Sequence, residues 1–181
     1  MTAATASQTA GPYWHLIDFP EWADLLRADG PNAGVAGGER IVLTGRVTDG
    51  QGAPVADAMV EIWQADPEGR YDGAFHGFGR CGTDADGMFR FVTLKPGPVP
   101  GRGNQTQAPH VVLSIFARGL LKPLVTRLYF EGEALNETDP VLQAVTPARR
   151  ATLIARPTGA PGEWRLDIRL QGEGETVFLD I

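Results

Sequence analysis

Three histidines, three tyrosines and one cysteine are the side chains of this 181-residue chain best suited to bind a metal or move a proton. The histidines, His15, His76 and His110, do not stand at ligand spacing from one another. His110 opens the strand-like run His110-Val111-Val112-Leu113-Ser114, and side chains two apart on a strand share a face. A metal-binding pair there would read His-x-His, but the second position is Val112. One imidazole is a weak ligand set, because stable sites generally need three or four donors. His110 therefore reads as a structural histidine, His15 as a packing or interface residue beside two aromatics, and His76 as a solvated loop residue. Thr83-Asp84-Ala85-Asp86-Gly87 resembles half a calcium loop, yet the remaining ligands are missing, including the Glu at position twelve. It reads as a tight turn. No G-x-S-x-G motif or phosphate-binding loop is present, and Cys81 has no recognisable catalytic neighbour.

The elements that would position these residues are strands. Met88–Thr93, Val111–Ala117 and Leu124–Phe130 alternate or run apolar, and the segment from Leu94 to His110 joins the first two as a loop of Pro, Gly and amides. Loops held by stiff strands are where chemistry usually sits. Tyr129 alternates inside its apolar strand and reads as core. Ile41–Thr48 and Met59–Gln64 are two further strands, separated by the turn residues Asp49 to Pro54. Tyr71 to Arg80 is glycine-rich and reads as irregular. Pro20 to Arg27 reads as a short helix, with Pro20 at its first position and Trp22, Leu25 and Leu26 on one side. Asp139-Pro140 opens another helix through Val145, capped by Thr138 or Asp139. Ala151–Ala155, Glu163–Gln171 and Thr176–Asp180 complete the set of strands. Seven or eight strands punctuated by turns predict a mainly β chain, a β-sandwich or barrel. Residues 1–38 form an N-terminal arm, short helix and linker, and 39–181 the sandwich, in one domain.

Composition narrows the function classes. The chain is 43% hydrophobic and 21% charged, with 23 Gly and 14 Pro, which favours short strands and frequent turns. The net charge of −6 carries no basic stripe, so a nucleic-acid partner is not expected. An anionic substrate would need an arginine of its own beside it. A single cysteine excludes an internal disulfide. The N-terminus lacks the basic start and apolar core of a signal peptide, and no apolar run approaches the roughly 20 residues needed to cross a bilayer. A cytoplasmic location is expected.

Several motifs in fixed order carry a resemblance. Thr83-Asp84-Ala85-Asp86-Gly87 with Phe89-Arg90-Phe91, then Leu94-Lys95-Pro96-Gly97-Pro98, Ala108-Pro109-His110, Thr126-Arg127-Leu128-Tyr129-Phe130 and Gly132 resemble the intradiol ring-cleavage dioxygenases, from the Ile41 strand to Phe178. The resemblance implies an antiparallel, transthyretin-like sandwich. It also implies a non-haem Fe(III) site made by two tyrosines and two histidines, at which O₂ cleaves a catechol ring. At the positions of those ligands this chain has His110, Val112 in place of the second histidine, and Val99 in place of a loop tyrosine. The other ligand tyrosine would fall shortly before Gly79-Arg80-Cys81, and residues 72–78 contain none. Valine has no lone pair to give.

The resemblance therefore implies a subunit without catalytic residues or metal of its own. Its expected partner is a homologous subunit that carries the iron ligands and holds the Fe(III), within a larger hetero-oligomer acting on a small aromatic diol and O₂. Gln8-Thr9-Ala10-Gly11-Pro12-Tyr13 is similar to an arm that reaches the partner's iron pocket, and Phe116-Ala117-Arg118-Gly119 to a segment whose arginine lies near it. Thr9, Gly11, Pro12, Tyr13 and Arg118 are the expected contributions to the substrate pocket. Two other readings remain: a self-sufficient dioxygenase with unusual ligands, and a binding module on the same sandwich without enzymatic context.

Overall fold

In the computed structural model, which describes residues 19–35 and 37–180, eleven strands follow one another. They are β1 (Arg40–Thr48), β2 (Met59–Gln64), β3 (Phe78–Gly82), β4 (Met88–Leu94), β5 (Val99–Pro100), β6 (Thr106–Gln107), β7 (His110–Phe116), β8 (Leu124–Phe130), β9 (Ile154–Pro157), β10 (Glu163–Arg165) and β11 (Ile168–Arg169). One short helix, α1 (Pro140–Ala144), lies between β8 and β9, with 3-10 turns at Ala134–Glu137 and Pro147–Leu153 beside it. No helix among the described residues is long and apolar enough to cross a membrane.

Strands β4, β1, β10 and β9 form one layer, and β3, β2, β7, β8 and β9 the other. β9 belongs to both and closes one side of the sandwich. Most pairings are antiparallel, but β1 runs parallel to β10 and β11, and β8 parallel to β9. The core between the layers holds Ile41, Leu43, Phe89 and Phe91 from one side and Val60, Ile62, Val111, Leu113, Ile115, Leu128 and Phe130 from the other. Alternation along β7 and β8 sends His110, Val112, Arg127 and Tyr129 to the opposite face of their sheet. At one end of that face α1 covers a second small cluster of Ala108, Tyr129, Leu142, Val145 and Leu153.

The expected strand set holds with local differences that have physical causes. Pro20–Ala23 is a single 3-10 turn rather than a helix to Arg27. The chain turns extended at Asp24 and bridges to Val92, and the Leu25 N–H donates to the Val92 carbonyl at 2.9 Å. Burying Leu25 on the sheet outweighs a helix too short to sustain itself. The stretch Tyr71 to Arg80, read as irregular, ends inside β3, whose first residues are Phe78, Gly79 and Arg80, and the Pro-rich loop contains the short ribbon β5–β6. Pro147–Leu153 coils before β9 begins at Ile154. Thr176–Asp180 forms only one bridge, Val125↔Leu179, against the stretch of β8 that β9 leaves uncovered.

The alternating run from Glu163 to Gln171 is split into β10 and β11. Where β1 would bond to its middle, the Arg46 amide donates instead to the Asp167 side chain at 2.9 Å, and the Leu166 carbonyl lies directly over Gly45. A methyl group on Gly45 would collide with that carbonyl and with the Phe89 ring. Gly45→Ala is therefore expected to lower stability by about 1–3 kcal/mol through overpacking, read as a lower urea midpoint with an unchanged slope.

Candidate functional site

The face bearing His110 is built row by row from strand register. His110 on β7 pairs with Tyr129 on β8, and Val112 stands between Trp63 on β2 and Arg127 on β8. Val99 pairs with Gln107 across the β5–β6 ribbon, and Gln107 Oε1 accepts from Arg127 Nη1 at 2.7 Å. Sequence positions far apart are thus linked in one patch, which includes His110, Val112 and Val99.

His110 is 3% exposed, and its Nδ1 lies 2.7 Å from the Ala108 carbonyl. A carbonyl can only accept, so Nδ1 carries the proton and the lone pair sits on Nε2. Burial, assisted by the positive charge of Arg127, pushes the imidazole down from 6.5 to about 4, against the Ala108 carbonyl and Asp139. The unfolded chain binds that proton at 6.5 and the folded chain only near 4, so between them the unfolded state binds more protons. Stability falls as pH drops through this window, by about 3 kcal/mol from this group. In His110→Leu the slope of stability against pH between 6.5 and 4 is expected to flatten by that amount, measured by urea unfolding at each pH.

Asp139 organises the covered end of the face. It is fully buried and caps α1, its Oδ1 accepting from Val141 N at 2.9 Å and Leu142 N at 2.8 Å. The same oxygen accepts from the Tyr129 hydroxyl at 3.0 Å, and Oδ2 accepts from Ala108 N at 2.9 Å. Burial raises the Tyr129 hydroxyl well above the ordinary phenol range although Arg127 Nη1 donates to its oxygen at 3.3 Å. Tyr129 is therefore a neutral core phenol bonded to Asp139.

The open end of the face is aromatic. Trp63 and Tyr71 stack with ring centroids 5.9 Å apart and planes 13° from parallel, and His76 meets Trp63 edge-on. Trp63, Tyr71 and His76 are exposed. Arg127 lies across Val112 from Trp63, one strand further along the sheet, and its Nε is buried with no hydrogen-bond partner.

Arg118 stands elsewhere. It follows β7, whose ends lie roughly 20 Å apart at 3.3 Å per residue, so it is remote from His110. Its side chain is 88% exposed and ion-paired to Asp57. Thr9, Gly11, Pro12, Tyr13 and His15 lie outside the described residues. Arg127, Gln107 and Asp139 escaped the sequence reading as members of a site; the clue was a charged Arg127 inside an otherwise apolar strand. Thr83–Gly87 is the expected turn, with Asp84 Oδ1 accepting from the amides of Asp86 and Met88 at 2.9 Å.

This donor set does not fit a ferric centre. His110 offers one lone pair, Val99 and Val112 offer none, and Arg127 adds a positive charge beside them. Among the described residues no group of three or more His, Cys, Asp or Glu is placed to hold a metal ion.

A family model described as Dioxygenase matches residues 10–172. The chain belongs to the intradiol dioxygenase family. Members of this ring-cleaving family are generally iron-dependent. The chain is similar to the protocatechuate 3,4-dioxygenase alpha chain of Pseudomonas putida, 43% identical over 97% of this chain and 96% of that one. A protocatechuate 3,4-dioxygenase beta chain, from Burkholderia cepacia, is also 43% identical, over 66% of this chain and 56% of its own length. Among solved structures, the dioxygenase domain of a dioxygenase–carbohydrate-binding fusion from Streptomyces sp. SirexAA-E superposes with a TM-score of 0.66 at 30% identity, covering 94% of this chain and 99% of that domain. This intradiol dioxygenase chain thus shares the family's sandwich, while the residues at three positions where the resemblance places ligands include only one metal donor.

Proposed function

We propose that this chain is the non-metallated, alpha-type subunit of a protocatechuate 3,4-dioxygenase, acting with a homologous beta-type subunit that holds Fe(III). Together they open the ring of 3,4-dihydroxybenzoate between its two hydroxylated carbons, adding both atoms of O₂ to give 3-carboxy-cis,cis-muconate. The observation that carries this reading is 43% identity to an alpha chain over nearly the whole of both chains. The valines at Val99 and Val112 support it from the chemistry. The domain is read as one unit from 1 to 181, and the assembly as a hetero-oligomer of alpha–beta units.

In this reading Arg118 serves the partner's pocket. Its side chain is already 88% exposed, and a surface pair such as Arg118–Asp57 contributes about 0–1 kcal/mol, so the guanidinium can be redirected to a substrate carboxylate with little loss. Thr9, Gly11, Pro12 and Tyr13 are assigned to the same pocket on sequence resemblance.

The test is co-expression with the neighbouring homologous gene, followed by iron content and O₂ uptake with protocatechuate. Failure to recover a partner that carries the His-x-His pair and supports turnover would remove the reading in favour of a plain binding module. Within an active complex, Arg118→Ala is expected to raise KM for protocatechuate about 10–100-fold, the weight of a charge-assisted bond of ~1.5–3 kcal/mol, with Tm within about 2 °C of wild type. A collapse in Tm with KM unchanged would make Arg118 structural.

A further inference from the structure

The outer face of the β4–β1–β10–β9 layer collects arginines on a chain whose net charge is −6. Leu43, Phe89, Phe91, Ala155 and Leu166 point into the core, so alternation turns Thr44, Arg90, Arg156 and Arg165 outward. Strand register sets these four in one row. Arg90 on β4 pairs with Thr44 on β1, Thr44 with Arg165 on β10, and Arg165 with Arg156 on β9. All three arginines are exposed, and they are neutralised only in part. Arg165 pairs with Asp167 at 2.9 Å, and Arg156 lies 3.5 Å from Glu131 with both side chains exposed. Arg90 has no hydrogen-bond or ion-pair partner among the described residues. Glu163, two residues before Arg165, accepts instead from the Thr158 hydroxyl at 2.8 Å. Like charges directly opposite on neighbouring strands are destabilising, and Arg156 and Arg165 are such a pair. A groove of about 500 Å³ opens beside them, its lining including Thr152, Arg156, Thr158, Arg165 and Asp167.

We propose that this row docks an acidic, extended segment of a partner protein, with carboxylates at alternate positions. At about 4.8 Å per strand, the row from Arg156 to Arg90 spans roughly 14 Å. Side chains on one face of an extended chain recur about every 6.6 Å, so three in succession span roughly 13 Å. A segment lying across the strands therefore sets one carboxylate on each arginine. A guanidinium takes a carboxylate in a two-pronged bond, and a carboxylate near both Arg156 and Arg165 offsets their repulsion. A single small anion cannot span the three cations. A long polyanion is repelled by the chain's net charge and by Asp167 and Glu131 beside the row. The row includes no residue assigned to the iron-bearing partner's pocket, so it does not stand or fall with the proposed subunit role.

Fluorescence anisotropy tests it, with the full chain titrated into a labelled serine heptapeptide carrying glutamate at its second, fourth and sixth positions. The separate arms are the same peptide with glutamine for glutamate, a peptide of equal composition with its glutamates adjacent, and tripolyphosphate as competitor. The alternating peptide is expected to bind saturably at one equivalent per chain, at least about tenfold more tightly than the glutamine peptide and more tightly than the adjacent one. Arg90→Gln and Arg156→Gln are each expected to weaken it about threefold and the double variant about tenfold, as exposed ion pairs do, with Tm unchanged. Lys122→Gln, in the β7–β8 turn of the other layer, is expected to leave the affinity as it is. The proposal is overturned by absence of saturable binding, by a glutamine or adjacent-glutamate peptide that binds as tightly, or by tripolyphosphate competing at the same concentration as unlabelled peptide. Unchanged affinity in the double variant, or an equal loss in Lys122→Gln, would equally overturn it. If the double variant does not fold, Arg90→Gln alone decides in the same way.

Discussion

If the proposed subunit role holds, this chain expressed without the proposed beta-type subunit is expected to be colourless, to retain substoichiometric iron after dialysis, and to turn over protocatechuate at least about a thousand-fold more slowly than the co-expressed complex. The reason is a count of electron pairs. Three or four donors hold a metal, and the patch around His110 supplies one imidazole whose Nδ1 is already bonded to the Ala108 carbonyl. The valines at 99 and 112 cannot be recruited by any rearrangement of the backbone, because no conformation gives an alkyl group a lone pair. Arg127 adds repulsion toward a cation. Visible spectra, metal analysis and O₂ uptake on the two preparations check this. Stoichiometric iron with a ferric–phenolate band in the lone chain would mean that it is a self-sufficient dioxygenase with unusual ligands.

Asp139→Ala is expected to cost about 3–5 kcal/mol, since several buried donors lose their acceptor at about 1–3 kcal/mol each, and so to lower Tm by about 10 °C or more in a chain of this size. Four donors lose their acceptor together: the amides of Ala108, Val141 and Leu142 and the Tyr129 hydroxyl. Two of them begin α1, one fixes the end of the Pro-rich loop, and one lies fully buried on β8. Asp139→Asn separates charge from geometry. Its carbonyl oxygen can keep the cap, but its amide nitrogen then faces the Ala108 N–H, donor against donor, so an intermediate loss is expected. Scanning calorimetry of the two variants ranks them; a Tm for Asp139→Ala within 2 °C of wild type, taking about 2–4 °C per kcal/mol, would show that water replaces the carboxylate. His110 depends on the same chain of bonds, since Asp139 holds Ala108, whose carbonyl takes the His110 Nδ1.

Much of the sandwich could be read from period-two patterning. β1, β2, β4, β7 and β8 fall within a residue of where their apolar runs place them, because each has one face on a common core. The readings that failed share a cause. The segment after Pro20 carries helical signals, yet Leu25 finds a larger burial by bridging to β4. The run from Glu163 alternates without interruption, yet the contact of Leu166 with Gly45, a residue more than a hundred positions earlier, breaks it in two. Local pattern cannot register a competitor that arrives from elsewhere in the chain.

The site divides in the same way. That valines stand at 99 and 112, two of the positions where the resemblance places metal donors, is a property of residue identity that precedes any folding, since valine lacks a lone pair in every environment. That Arg127 stands opposite Val112, that Trp63 completes the row, and that Asp139 sits beneath Tyr129 were decided only by the tertiary structure. Strand register joins residues 63, 112 and 127 through hydrogen bonds between backbones. Those bonds are alike at every step along the ladder, so side-chain spacing within one strand says nothing of which residue on the next will face it.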